Sequence, residues 1–165
     1  MLNKSMRAPS QDRTALKAFY QSSEAYYHGL KERESDTFHH EFLRMVRTYI
    51  SSPANLLDLG CGSGYSSFRL AKLGYRVVGM DISAKFLDQA ASRVGDKLQY
   101  SVGDALELPF VDQTFDGVAS FDMIEHVVDA KGVFKEVDRI LRPGGRVVFV
   151  CPNYWSPVIP IKALI

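Results

Sequence analysis

The stretch Leu56 to Gly64, reading Leu-Leu-Asp-Leu-Gly-Cys-Gly-Ser-Gly, constrains the fold of this chain more than any other. It carries a short apolar strand into a turn with glycine at positions 60, 62 and 64, and a carboxylate, Asp58, stands just before that turn. Glycine takes positive φ values closed to other residues and lets backbone pass close to a ligand. A second apolar run, Val77 to Met80, delivers Asp81 about 20 residues beyond Gly60, the spacing at which an acid grips a nucleoside ribose. Strand, glycine turn, helix, strand and acid make one βαβ unit around a nucleoside cofactor.

The nicotinamide fingerprint needs its third glycine five places after the first, facing a pyrophosphate at a helix start. Tyr65 holds that place here. Asp58 would add negative charge beside the turn, which a pyrophosphate opposes and an ammonium group welcomes. A ribose-bearing ligand with a cationic amino-acid end fits better. From Leu56 to Asn153 the chain resembles the class I S-adenosylmethionine-dependent methyltransferases of the broad small-molecule kind, with several motifs in the family's order.

A chain of 165 residues with 46% hydrophobic residues has material for one domain with a sizeable core. A formal net charge of +1 argues against a duplex nucleic acid or an anionic membrane as the main partner. No apolar run follows Lys4 and Arg7, so no signal peptide is visible. Two cysteines, Cys61 and Cys151, do not make a disulfide scaffold, and a reducing cytoplasm is the expected setting.

Helical spacing marks residues 13–30 (Leu16, Phe19, Tyr20) and a second helix after Ser35-Asp36, with Phe38, Phe42, Met45, Val46, Tyr49 and Ile50 on one stripe. Strands are expected at 55–59, 76–80, 98–102, 115–121 and 146–151. Between them come a helix over 64–73, one capped by Ser83 and stopped by Gly95, and one opened by Asp129 with Val133, Phe134, Val137, Ile140 and Leu141 inward. Arg142-Pro143-Gly144-Gly145 reads as a helix stop and turn. Such alternation makes an α/β, doubly wound parallel sheet, Rossmann-like by the resemblance, with ligands outside the carboxyl ends of its strands. The division expected is a helical cap over 1–54, a cofactor-binding core over 55–153 and a tail over 154–165.

The resemblance implies S-adenosyl-L-methionine as cofactor, S-adenosyl-L-homocysteine as product, and a set of binding residues. Asp58 would approach the methionine ammonium, with Gly60, Cys61, Gly62 and Gly64 forming the turn. Asp81 would accept from the ribose hydroxyls, Ile82 would lie on the adenine face, and Asp104 with Ala105 would hold the adenine edge. Phe121 would set its backbone against the methionine portion. Turn, N-cap and core roles compete for these residues. Sulfonium methyl transfer needs alignment and desolvation, and a base only where the acceptor arrives protonated. His126, beside Glu125, is the candidate base.

Asp122, Glu125 and His126 also resemble a metal motif of some O-methyltransferases, although the first acid is Asp and no His follows His126. The expectation is therefore no metal, with metal assistance as an alternative. The chain lacks the Asp/Asn-Pro-Pro-Tyr segment of adenine and cytosine N-methyltransferases, since Phe121-Asp122-Met123-Ile124 stands there. Cys151 reads as a small buried cysteine rather than the nucleophile of pyrimidine C-methylation. A small-molecule acceptor follows, with neither nucleic acid nor membrane as partner. A non-catalytic binding module of the same fold is the other reading. Tyr20, Tyr26 and Tyr27 could form an aromatic lid or pack as helical core.

The family's sheet closes with two antiparallel strands beside the fifth. Pro152, Pro157 and Pro160 argue against regular pairing in the tail. Five parallel strands with the closing pair missing are therefore expected, and the apolar end at Ile165 suggests the first part of a longer protein. The edge of strand five would then be hidden by the tail or by self-association.

Overall fold

A computed structural model describes residues 12–22, 37–151 and 162–164. Five strands run parallel: β1 (Asn55–Leu59), β2 (Arg76–Asp81), β3 (Leu98–Val102), β4 (Phe115–Phe121) and β5 (Leu141–Cys151). With β6 (Lys162–Leu164) the sheet order is β3-β2-β1-β4-β5-β6. The order reverses between β1 and β4, so the strand ends part there and leave a crevice.

Alternation along the strands sends neighbouring side chains to opposite faces. Leu56, Val148 and Val150 pack with Phe42, Leu43 and Val46 of α2 (Thr37–Tyr49) and with Leu70 of α3 (Tyr65–Lys72). Leu57, Leu59, Val118 and Phe149 face the other way, against Val133, Val137 and Ile140 of α5 (Ala130–Ile140). A smaller cluster joins α1 (Arg13–Ser22) and α4 (Ala84–Ala90) through Leu16, Tyr20 and Phe86. The result is the α/β, doubly wound parallel sheet that the alternation of elements implies.

Several local expectations need correction. Ser83 precedes α4, but its hydroxyl donates to the Tyr20 carbonyl at 3.0 Å and makes no side-chain cap. That helix ends at Ala90 and tightens into a 3₁₀ turn (Ala91–Arg93) before reaching Gly95. Tyr49 and Phe134 are 38% and 39% exposed rather than inward, although the Phe134 ring still stacks on Phe149 at 5.3 Å. Leu141 opens β5 rather than closing α5. The segment at Arg142-Pro143-Gly144-Gly145 bulges out of that strand, because Leu141 pairs with Phe115 and the next pair is Arg146 with Gly117. Gly144, at φ +80°, makes the bend. Asp129 caps α5 as expected, accepting from the Gly132 N–H at 2.9 Å.

The tail does pair, against the expectation from its prolines. Lys162, Ala163 and Leu164 run antiparallel to Cys151, Val150 and Phe149. These three residues follow the last proline, so no ladder N–H is missing among them. The family's closing pair is still not built, because β6 is one short strand among the described residues. Tyr26, Tyr27, Pro152 and Asn153 lie outside the described residues.

Candidate active site

The cavity at the switch point is lined by the turn after β1, the ends of β2, β3 and β4, and four helices, α1 to α4. Asp58, Gly60, Cys61, Gly62, Asp81, Ile82, Asp104, Ala105, Phe121 and His126 all line it. Gly64 does not. It sits at the N-cap of α3 with φ +76°, and a Cβ there would meet Ala90 at 2.7 Å and the Tyr100 hydroxyl. Its glycine serves the helix entry. Gly60 also has φ +76°, and a side chain on it would fall on Met123, which lines the cavity.

The two acids nearest the turn are buried. Asp58 accepts from the Ser67 hydroxyl at 2.5 Å, and burial pushes its carboxyl up to about 7 against that bond. Asp81 accepts from the Gly62 N–H and the Ser83 N–H, each at 2.9 Å, and burial holds it up at about 6. Each of its oxygens keeps a lone pair for a further donor. Cys61 is buried as well, and burial together with both acids pushes its thiol well up, which keeps it unreactive.

Asp104 is already engaged. One oxygen takes the Arg13 Nε at 2.7 Å and the other takes the Leu106 N–H at 2.9 Å. Arg13 also reaches Glu107 at 3.5 Å, so α1 is tied across the end of β3. On the far side, Asp122 turns the chain at φ +57°, a conformation uncommon outside glycine and worth a functional explanation. His126 follows in a 3₁₀ turn (Ile124–His126), its Nε2 3.8 Å from Glu125 Oε1 and its ring 6.0 Å from that of Tyr20. Asp122, Glu125 and His126 do not converge as a metal site, since no group of three such side chains gathers among the described residues. Cys151 is half-buried rather than buried, and burial with the charges of Glu125 and Asp122 pushes its thiol up.

The chain matches the methyltransferase-domain family over residues 57–149. It belongs to that family. The methyltransferase domain is 33% identical over 135 residues to 27-O-demethylrifamycin SV methyltransferase of Amycolatopsis mediterranei, covering 75% of this chain and 50% of that protein. To 2-phytyl-1,4-naphtoquinone methyltransferase of Thermosynechococcus vestitus it is 33% identical over 144 residues, covering 83% and 64%. Among solved structures, the PH0226 protein of Pyrococcus horikoshii superposes with a TM-score of 0.62 at 33% identity, covering 82% and 63%. The chain spans about half the length of the curated relatives it matches.

Some residues of the domain's cavity escape a reading by motif. Arg13 and Leu16 enter from α1, His39 from α2, Tyr65 from α3 and Met123 from the turn after β4. His39 had a signal, because it stands three and seven residues before the buried Phe42 and Val46 and so shares their helical stripe. Arg13 had none, since its meaning lies in an acid 91 residues away.

Proposed function

We propose that this domain binds S-adenosylmethionine and that the protein transfers its methyl group to an oxygen, nitrogen or carbon of a small molecule. The observation that carries this reading is the pair Asp58 and Asp81, two carboxylates whose burial costs most when they are ionised. Such a site gains by taking up a ligand that carries an ammonium group and a diol. Gly60 and Gly62 leave room for its backbone approach, Asp58 faces the ammonium, and the remaining lone pairs of Asp81 accept from the ribose hydroxyls. Ile82 lies on the adenine face, and Asp104 with Ala105 holds the adenine edge, Asp104 sharing its carboxylate with Arg13. Phe121 sets its backbone against the methionine portion.

Bound there, S-adenosylmethionine supplies a methyl group on a sulfonium sulfur. The chain's own part is to orient the acceptor, to exclude water, and to take a proton where the acceptor brings one. His126 takes that proton, and Glu125 at 3.8 Å balances the imidazolium that results. The relatives named for a rifamycin and a phytyl naphthoquinone support a small organic acceptor. No helix among the described residues is long and apolar enough to cross a membrane, and free Cys61 and Cys151 suit the cytoplasm.

Calorimetric titration of S-adenosylhomocysteine tests the reading. We expect a 1:1 isotherm, and none with NAD. Asp81→Ala should weaken binding by about 1.5–3 kcal/mol, the range for hydrogen bonds to a charged group. An unchanged affinity in that variant would remove the ribose assignment.

A further inference from the structure

We infer that His39 is the second polar contact for the methyl acceptor, opposite His126, and that the acceptor is a neutral hydroxyl on a flat, apolar framework. The inference rests on the cofactor reading above, which puts the methionine end of the ligand beside Asp58 and Phe121. Both imidazoles line the same cavity but reach it from different elements, His39 from the first turn of α2 and His126 from the turn after β4. The His39 ring lies 4.5 Å from Phe121, tilted, and 5.3 Å from Tyr65, edge-on. Phe121 ends β4 and Tyr65 begins α3, so these contacts hold His39 at the methionine end.

The walls dictate the acceptor's shape and charge. Aromatic rings on both flanks, Phe121 and Tyr65 on one and Tyr20 on the other, favour a planar framework. Asp58, Asp81, Asp104 and Asp122 line the cavity, and Arg13, the cation among its described lining residues, is engaged by Asp104. A carboxylate or phosphate acceptor would enter this field at a cost. A hydroxyl enters without one, and an imidazole can donate to its oxygen or accept its proton.

The test uses the 165-residue chain with carbon-13-labelled histidine, saturated with S-adenosylhomocysteine. Replacing that ligand by S-adenosylmethionine at fixed pH should shift the His39 ring resonance, because a positive sulfur arrives beside it. An unmoved resonance overturns the placement. Adding 2-naphthol should shift both the His39 and His126 resonances, while 2-naphthoate should shift neither. Equal response to the acid, or none to the phenol, overturns the acceptor class. His39→Phe keeps a ring against Phe121 and Tyr65 and removes both nitrogens. It should leave S-adenosylhomocysteine affinity unchanged and weaken 2-naphthol about fivefold or more, as the loss of one hydrogen bond implies. Loss of S-adenosylhomocysteine binding in that variant makes His39 a structural residue and overturns the inference. If the unaltered chain fails to bind S-adenosylhomocysteine, the cofactor reading falls and this inference with it.

Discussion

Asp58 and Asp81 stand in no ion pair among the described residues, yet both are buried beside the glycine turn. Burial holds their carboxyls at about 7 and about 6, well above the usual carboxylate range. A ligand ammonium beside them prefers their ionised forms. Affinity for S-adenosylhomocysteine should therefore be full above pH 8 and fall as pH drops through 7 toward 5.5. Binding near pH 6.5 should release protons, which calorimetry in buffers of different ionisation enthalpy will count. Asp58→Asn removes the buried charge while keeping the shape. It should raise the melting temperature of the unliganded protein at pH 8 by a few degrees and weaken the cofactor. Asp58 and Asp81 were legible in the sequence because each lies beside its own strand and turn. His39 and Arg13 were not assigned, because their places in the cavity arise only where helices from the front of the chain cross strand ends from its middle.

Strands were read more faithfully than helix ends. The expected spans 55–59, 98–102 and 115–121 are those observed, because their apolar runs are bounded by polar residues, glycine or proline. The helix after Ser83 was read too long, since packing of Phe86, Leu87 and Ala90 decides where it is held and Ala91–Arg93 tightens beyond them. β6 was missed because its partner strand, not its own sequence, makes it a strand. Two element-level changes test these accounts. Asp129→Ala removes the cap of α5 and should cost about 1 kcal/mol in denaturant unfolding. Gly64→Ala forces a side chain at φ +76° against Ala90 and should cost about 1–3 kcal/mol. Since Gly64 does not line the cavity, any loss of affinity in Gly64→Ala should follow its loss of stability.

For the molecule as a whole, the raised carboxyls set the direction of stability against pH. A folded-state value above the ordinary 3.8 means that the folded protein keeps protons which the unfolded chain gives up. Their contribution is complete below about pH 4 and is lost as pH rises through 6 and 7. Asp116, lowered first by the Asn55 N–H, and Glu136, lowered first by Arg139, act oppositely, but their gain is complete by about pH 5. The unliganded chain should therefore melt lower at pH 8 than at pH 5.5, and saturating S-adenosylhomocysteine should narrow that gap. The sheet order carries a further consequence, for synthesis. β1 pairs on one side with β2, which follows it closely, and on the other with β4, where the Ser120 hydroxyl reaches a Leu59 carbonyl 61 residues earlier. A chain emerging from the ribosome can close β1, β2 and β3 together before the wall bearing Phe121 and His126 has emerged. Until β4 inserts, the growing polypeptide has Asp81 and the glycine turn on one bank only. On the proposed reading, ligand capture would be a late acquisition of the nascent chain, available to stabilise the domain only after most of it has been made.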